Sequence, residues 1–107
     1  MTTYELLKQA ILERKQVIAI YDNYVRELSP HALGTKNGVA QCIAYQFGGD
    51  SSRGPIALGS TNNWRCLTVS KFRNVKVREG KWYTATDHSR PNTCLDHVDV
   101  EVAHPTA

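Results

Sequence analysis

The chain has 107 residues, 41% hydrophobic and 21% charged, with a net charge of +3. That is the size of one domain able to bury its own core, and no apolar run approaches the roughly 20 residues a membrane-spanning helix needs, so a single soluble domain over residues 1–107 with no membrane partner is expected. The charge is uneven, with +1 over residues 1–63, +5 over 64–81 and −3 over 82–107, which points to a local basic patch rather than to the total.

From the N-terminus, Thr2 and Glu5 form a capping-box pattern, in which the hydroxyl accepts from a first-turn amide and the carboxylate reaches back. Leu6, Leu7, Ala10 and Ile11 then recur at helical spacing, predicting an amphipathic helix over about 3–14 whose apolar stripe must cover the rest of the domain. Glu5, Lys8, Glu13 and Arg14 interrupt every apolar cluster in this stretch, unlike a secretory leader. The three cysteines, Cys42, Cys66 and Cys94, are an odd number without paired spacing and read as reduced thiols. Together these features point to a cytoplasmic chain.

Gln16–Tyr21 is rich in β-branched residues and ends at Asp22-Asn23, a pair suited to a turn. Tyr24–Ser29 alternates as a second strand that Pro30 and Gly34 are expected to end. Asn37-Gly38 tolerates the positive φ of a tight hairpin turn and leads into a third strand, Val39–Phe47, apolar or small on both faces and so covered on both sides. Residues 48–63 turn to Gly, Ser, Asp and Asn and read as a long loop, with Pro55–Leu58 a candidate short edge strand. Trp64–Val69 and Val75–Arg78 flank a single helical turn at about Ser70–Asn74. Trp82 and Tyr83 are expected to pack on one end of the barrel, 86–96 reads as irregular, and His97–Ala103 alternates three valines with acids, the pattern of a half-buried strand.

A helix followed by five strands, with a helical turn between the fourth and fifth, is the order of a small Sm-like or SH3-like β-barrel. The expected fold is therefore mainly β with an N-terminal α-helix, a barrel over about 16–80, and a C-terminal extension over 81–107 with an extra strand at about 97–103. Within that frame Gly38–Tyr45 and Arg65–Phe72 resemble the two central segments of WYL domains, the likeness covering roughly residues 3–80. Ala44, Tyr45 and Arg65 match the family pattern, and Leu67 and Val69 keep its apolar character. The Trp-Tyr-Leu positions fall on Ala40, Gln41 and Cys42, and Thr68 and Ser70 stand where arginine and aspartate are usual. The resemblance implies a ligand-sensing, regulatory module for nucleotides or nucleic-acid strands.

The candidate ligand-binding residues are Arg65, Lys71 and Arg73, with Trp64 beside them and Tyr45 and Gln41 on the neighbouring strand. Binders of single-stranded nucleic acid combine cations for phosphates with aromatic faces for bases. The plainer reading is that charges at period two simply face solvent, and the acids Asp96, Asp99 and Glu101 are available to neutralise the patch. Among His88, Cys94, His97 and His104 only Cys94 and His97 have the close spacing of zinc ligands, and no metal or other cofactor is expected. Cys94 near His97 is the one candidate nucleophile. No phosphate loop or hydrolase motif accompanies it, so the expectation is a non-enzymatic binding module whose partner is a nucleotide or single-stranded nucleic acid. The alternative is a protein-interaction or homo-oligomerisation subunit that adds a barrel edge or the terminal valine strand to a partner's sheet.

Overall fold

The Thr2–Glu5 box starts the only helix among the residues that the computed structural model describes, which are 1–50, 63–84 and 94–102. Thr2 Oγ1 accepts from the Glu5 amide at 3.1 Å, and Glu5 Oε1 accepts from the Thr2 amide at 2.9 Å, which satisfies two of the donors a helix start leaves open. The helix, α1, runs Thr3–Glu13 and ends where Arg14 takes a left-handed conformation and turns its amide back on the Ala10 and Ile11 carbonyls. Leu7, Ala10 and Ile11 line its buried side.

Six antiparallel strands follow: β1 (Gln16–Tyr21), β2 (Tyr24–Lys36), β3 (Val39–Gly49), β4 (Trp64–Thr68), β5 (Arg73–Arg78) and β6 (His97–Glu101), with a single 3-10 turn, Val69–Lys71, between β4 and β5. The sheet runs β4-β3-β2-β1-β5, and β6 adds to β2. This is the strand path of a small barrel left open, since β4 and β5 form the two ends and share no ladder. Two hairpin turns set the register as their sequences require. Asp22 and Asn23 have φ of 51° and 67°, and Asn37 and Gly38 have 52° and 78°, the positive pair that matches the twist of the flanking strands. The short strand expected at Pro55–Leu58 lies outside the described residues, as does most of the irregular stretch expected at 86–96.

The second strand departs from expectation. It does not end near Pro30 but continues to Lys36 as one 13-residue strand. A register break against β3 falls between Pro30 and Ala32, and a bulge is where a residue without an amide hydrogen can sit in a ladder. Gly34 does not end the strand either. A side chain there would run into the His97 carbonyl of β6, so the glycine serves the close approach of that strand. β2 thus pairs β1 over 24–28, β3 over 26–36 and β6 over 32–35.

Residues alternate between two buried clusters. Leu7, Ile11, Val17, Leu28, Leu33, Cys42, Ala44, Leu67 and Phe72 fill the main core under α1. On the other face of β3, Ile43 and Tyr45 pack with Ala32, Trp64 and Cys94, with Phe47 and Tyr83 at the margin. The expectation that β3 is covered on both sides therefore holds, with α1 over one face and Tyr83, Cys94 and Leu95 of the C-terminal extension over the other. Leu7 is fully buried, so Leu7→Ala should lower the unfolding free energy by about 2–5 kcal/mol in chemical denaturation.

The reading of all three cysteines as reduced is corrected. Cys66 and Cys94 form a disulfide with Cα atoms 5.8 Å apart, and only Cys42 is free. Cys66 stands opposite Ile43 in the ladder, hence on the face that the C-terminal extension crosses, and a separation of 28 residues leaves no local spacing signal. Past Cys94 the chain runs along β2 and closes on α1, where the Asp99 carboxylate accepts from the Tyr4 hydroxyl at 2.6 Å and lies 3.4 Å from Lys8 Nζ.

That clamp perturbs both partners. Burial first, then the bond to Asp99, pushes the Tyr4 phenol up to about 12, and the Tyr4 bond first, then the Lys8 charge, lowers the Asp99 carboxyl. By linkage Asp99 stabilises the fold above the unfolded carboxylate range and loses that contribution as pH falls through its folded value. Tyr4 stabilises below the ordinary phenol range and loses its contribution as pH rises through about 12. NMR titration of the Tyr4 ring should therefore show a midpoint near 12 that falls in Asp99→Asn without reaching the ordinary value, because burial is the larger cause. An unchanged midpoint would disprove the clamp.

Candidate functional site

The basic stretch from Trp64 to Arg78 is built as strand, 3-10 turn and strand, and period-two geometry sorts its side chains. In the β3–β4 ladder Tyr45 faces Trp64, Ala44 faces Arg65 and Gln41 faces Thr68. Residues directly opposite share a face and neighbours alternate, so Arg65 lies on the core side while Trp64, Tyr45 and Gln41 lie on the other. Arg65 is 7% exposed, with Nη1 donating to the Trp64 carbonyl at 3.1 Å.

Trp64 and Tyr45 are both buried, at 8% and 0% exposure, with their rings edge to face at 5.1 Å. Neither offers a free face for a base to stack on. Half-buried Gln41 accepts from the Thr68 hydroxyl at 3.3 Å.

Lys71 and Arg73 are exposed, Lys71 at the end of the 3-10 turn and Arg73 opposite Ile20 of β1. Lys76 is exposed two ladder positions from Arg78, which reaches back to Gln16 Oε1 at 2.8 Å and Glu27 Oε1 at 3.4 Å. Among the described residues Lys71, Arg73 and Lys76 form no ion pair. Among the described residues, two of the three C-terminal acids are engaged elsewhere, and the third, Glu101, is exposed on β6. Asp99 is held by Tyr4 and Lys8, and Asp96 accepts from the Asn37 amide at 2.9 Å. Of the six predicted ligand-binding residues, then, the structure leaves Lys71 and Arg73 exposed, joins Trp64 to Tyr45 in a buried cluster, and sets Arg65 and Gln41 on opposite faces.

Two further buried polar residues, His31 and Arg26, lie outside the predicted site. His31 sits between the two tryptophans, its ring 4.7 Å from Trp64 and 4.8 Å from Trp82. A carbonyl can only accept, so Nδ1–H donates to the Ser29 carbonyl at 2.7 Å, and Nε2 meets the Thr84 hydroxyl at 2.9 Å. Phe47 and Tyr83 stack beside this group at 4.4 Å. Arg26 is buried at the other end of β2, where Nε donates to the Tyr21 carbonyl at 3.2 Å, Nη1 to Gln46 Oε1 at 3.4 Å, and the guanidinium lies over the Tyr21 and Tyr24 rings. The alternation Tyr24, Arg26, Leu28 placed Arg26 with apolar neighbours. Nothing in the local pattern marked His31, whose ring and Nε2 partners, Trp64, Trp82 and Thr84, lie more than 30 residues away in sequence.

The catalytic and metal candidates fare differently. Cys94 has no thiol to act as a nucleophile while it is bonded to Cys66. Burial alone pushes the Cys42 thiol up to about 12, the behaviour of an inert core cysteine. His88 and His104 lie outside the described residues, and no group of three or more His, Cys, Asp or Glu able to hold a metal ion occurs among the described residues. Native, non-reduced protein should accordingly take up no iodoacetamide. Denaturant alone should expose Cys42, and denaturant with reductant should make all three cysteines reactive by mass spectrometry. Labelling of Cys66 or Cys42 in the native, non-reduced state would contradict this arrangement. In comparisons with protein-family models, curated proteins and solved structures, none matches this chain, and the functional reading rests on the residues themselves.

Proposed function

We propose that this chain is a non-enzymatic binding and sensing module, of the kind WYL domains represent, that recognises a nucleotide or a nucleic-acid segment through the basic surface of the 3-10 turn and β5. One observation carries the reading: Lys71, Arg73 and Lys76 stand exposed with no acid paired to them among the described residues, while Asp96 and Asp99 are engaged on the β2–β3 turn and on α1. Phosphate oxygens are the natural partners for such a group, since exposed cations bind them with release of counterions. In this reading Lys71 and Arg73 contact the ligand, Arg65, Trp64 and Tyr45 hold β4 in place behind them, and Gln41 positions the strand end through Thr68. The resemblance to WYL domains adds a regulatory role in which binding reports ligand to a partner.

A second reading, a protein-interaction or homo-oligomerisation subunit, draws on β6. Among the described residues this strand pairs only with β2 and leaves Val98 49% exposed, and a strand edge without a ladder partner can take up a partner's strand. A salt-insensitive dimer in size-exclusion chromatography with light scattering would favour it.

We propose a cytoplasmic place for such a nucleotide- or nucleic-acid-sensing module. No helix among the described residues is long and apolar enough to cross a membrane. The Cys66–Cys94 disulfide pulls the other way, because cytosolic disulfides are usually transient or redox-sensing. A cytoplasmic chain would carry it only part of the time.

Fluorescence titration with short single-stranded oligonucleotides and with mononucleotides tests the first reading. The triple variant Lys71→Ala, Arg73→Ala, Lys76→Ala should weaken oligonucleotide binding by about tenfold or more at low salt and flatten the slope of log affinity against log salt by about 2. Unaltered affinity and slope would remove the basic surface from the site.

A further inference from the structure

The C-terminal segment is fixed mainly at its ends. Cys94 at 5% exposure and Val102 at 6% are buried, one in the aromatic cluster and one in the main core. Between them His97, Val98, Asp99 and Glu101 are exposed. The ladder to β2 covers only Ala32–Thr35 and breaks register between Leu33 and Gly34. Leu95 and Val100 are only half-buried, each against one of the two clusters, and the remaining ties are polar. Asp96 bonds to the Asn37 amide and the Thr35 carbonyl, each at 2.9 Å, Asp99 bonds to Tyr4 and Lys8, and the Val102 amide donates to the His31 carbonyl at 2.8 Å. A segment with so little buried apolar surface belongs at the low end of local stability. Its one covalent tie is the disulfide.

That tie is open to attack from one side. Cys66 is exposed on β4, whereas Cys94 is buried. The third thiol, Cys42, is fully buried in the main core and takes no part in exchange, so the redox chemistry stays between Cys66 and Cys94.

We propose that residues 94–102 are a redox-latched strap: reduction of the Cys66–Cys94 disulfide by a dithiol reductant frees the segment from β4 and bares the Ala32–Thr35 edge of β2. In the first step a thiolate of the dithiol attacks Sγ of Cys66, the S–S bond breaks, and Cys94 leaves as a thiolate that takes up a proton. The second thiol of the reductant then gives up its proton and displaces Cys66, which leaves as a thiolate and is protonated in turn. The reductant departs as a disulfide, and its two electrons and two protons now reside on the two cysteine thiols. Release unpairs the backbone groups of β2 that β6 had covered, removes Val102 from the main core and frees Tyr4 and Lys8 of α1. This inference does not depend on the nucleic-acid reading, since Lys71, Arg73 and Lys76 have no bond to the strap.

Gly34 supplies a test that leaves both cysteines in place, because a side chain there meets the His97 carbonyl of the strap. Hydrogen exchange followed by mass spectrometry on the full chain, oxidised and after complete reduction by dithiothreitol, should show amides in 94–102 and 32–35 exchanging about tenfold faster or more once reduced, with the β1–β2 ladder at 17–20 unchanged. Oxidised Gly34→Ala should show the same local loosening, and its disulfide should be reduced faster than that of the parent because Cys94 is less sheltered. If Gly34→Ala fails to fold, the double variant Cys66→Ser, Cys94→Ser stands in and should match the reduced parent. Even acceleration across all strands would make the disulfide a general staple and overturn the proposal. So would full protection of 94–102 after verified reduction, or free thiols at Cys66 and Cys94 in protein purified under air without reductant.

Discussion

The continuity of β2 is the constraint on which the other elements depend. One strand of 13 residues gives its first half to β1, nearly its whole length to β3 and its last third to β6. It can do so only by bending, and the break at Pro30–Ala32 supplies the bend where proline costs no ladder bond. Had the strand stopped at Pro30, β6 would have no edge to join, the C-terminal segment would not cross Cys66, and Asp99 would not reach Tyr4 of α1. The same bend brings His31 between the two tryptophans, so the aromatic cluster is a product of the irregularity as much as of composition.

The basic surface has to be understood together with its position. β5 ends the sheet path, and sheet ends are commonly loaded with lysine and arginine to discourage pairing with other chains. Arg73, Lys76 and Arg78 satisfy that requirement whether or not they bind anything. Edge protection, however, does not require the C-terminal acids to be held elsewhere. The chain's −3 C-terminal portion contributes Asp96 to the β2–β3 turn and Asp99 to the helix, and neither is paired with Lys71, Arg73 or Lys76 among the described residues.

Much of the fold was readable because its signals are local. The Thr2–Glu5 box and the Asn37-Gly38 turn each act within a few residues and formed the element their sequence requires, whereas the alternation from His97 formed a strand, His97–Glu101, that leaves Val98 exposed rather than half-buried. What escaped is set by contacts distant in sequence. Pro30 and Gly34 carry the chemistry of strand ends, yet a bulge accommodates one and the approach of β6 requires the other. The burial of Trp64 and Tyr45 depends on Tyr83, Cys94 and Leu95 covering the outer face of β3, and no alternation within β3 or β4 records whether that cover arrives. The disulfide escaped for the same reason. Of the site, exposure at Lys71 and Arg73 follows from turn and edge positions that a sequence displays, while the inward turn of Arg65 follows from its pairing with Ala44, which a sequence does not display.

Arg26 behaves unlike the other charged groups that hold this fold together. Its described partners are the Tyr21 carbonyl, the Gln46 side-chain amide and the faces of two tyrosine rings, and Gln46 is itself anchored to the Gly48 and Asp50 carbonyls at 3.0 and 2.9 Å. None of these acceptors takes up a proton in mild acid. A cation caged by neutral dipoles keeps its coordination where carboxylate partners would be neutralised, so acidification should loosen the helix–strand clamp at Asp99 while the bonds of Arg26 itself persist. Acid thus acts on the ties made through Asp99 and through the Glu27–Arg78 pair, and leaves the Arg26 cage intact.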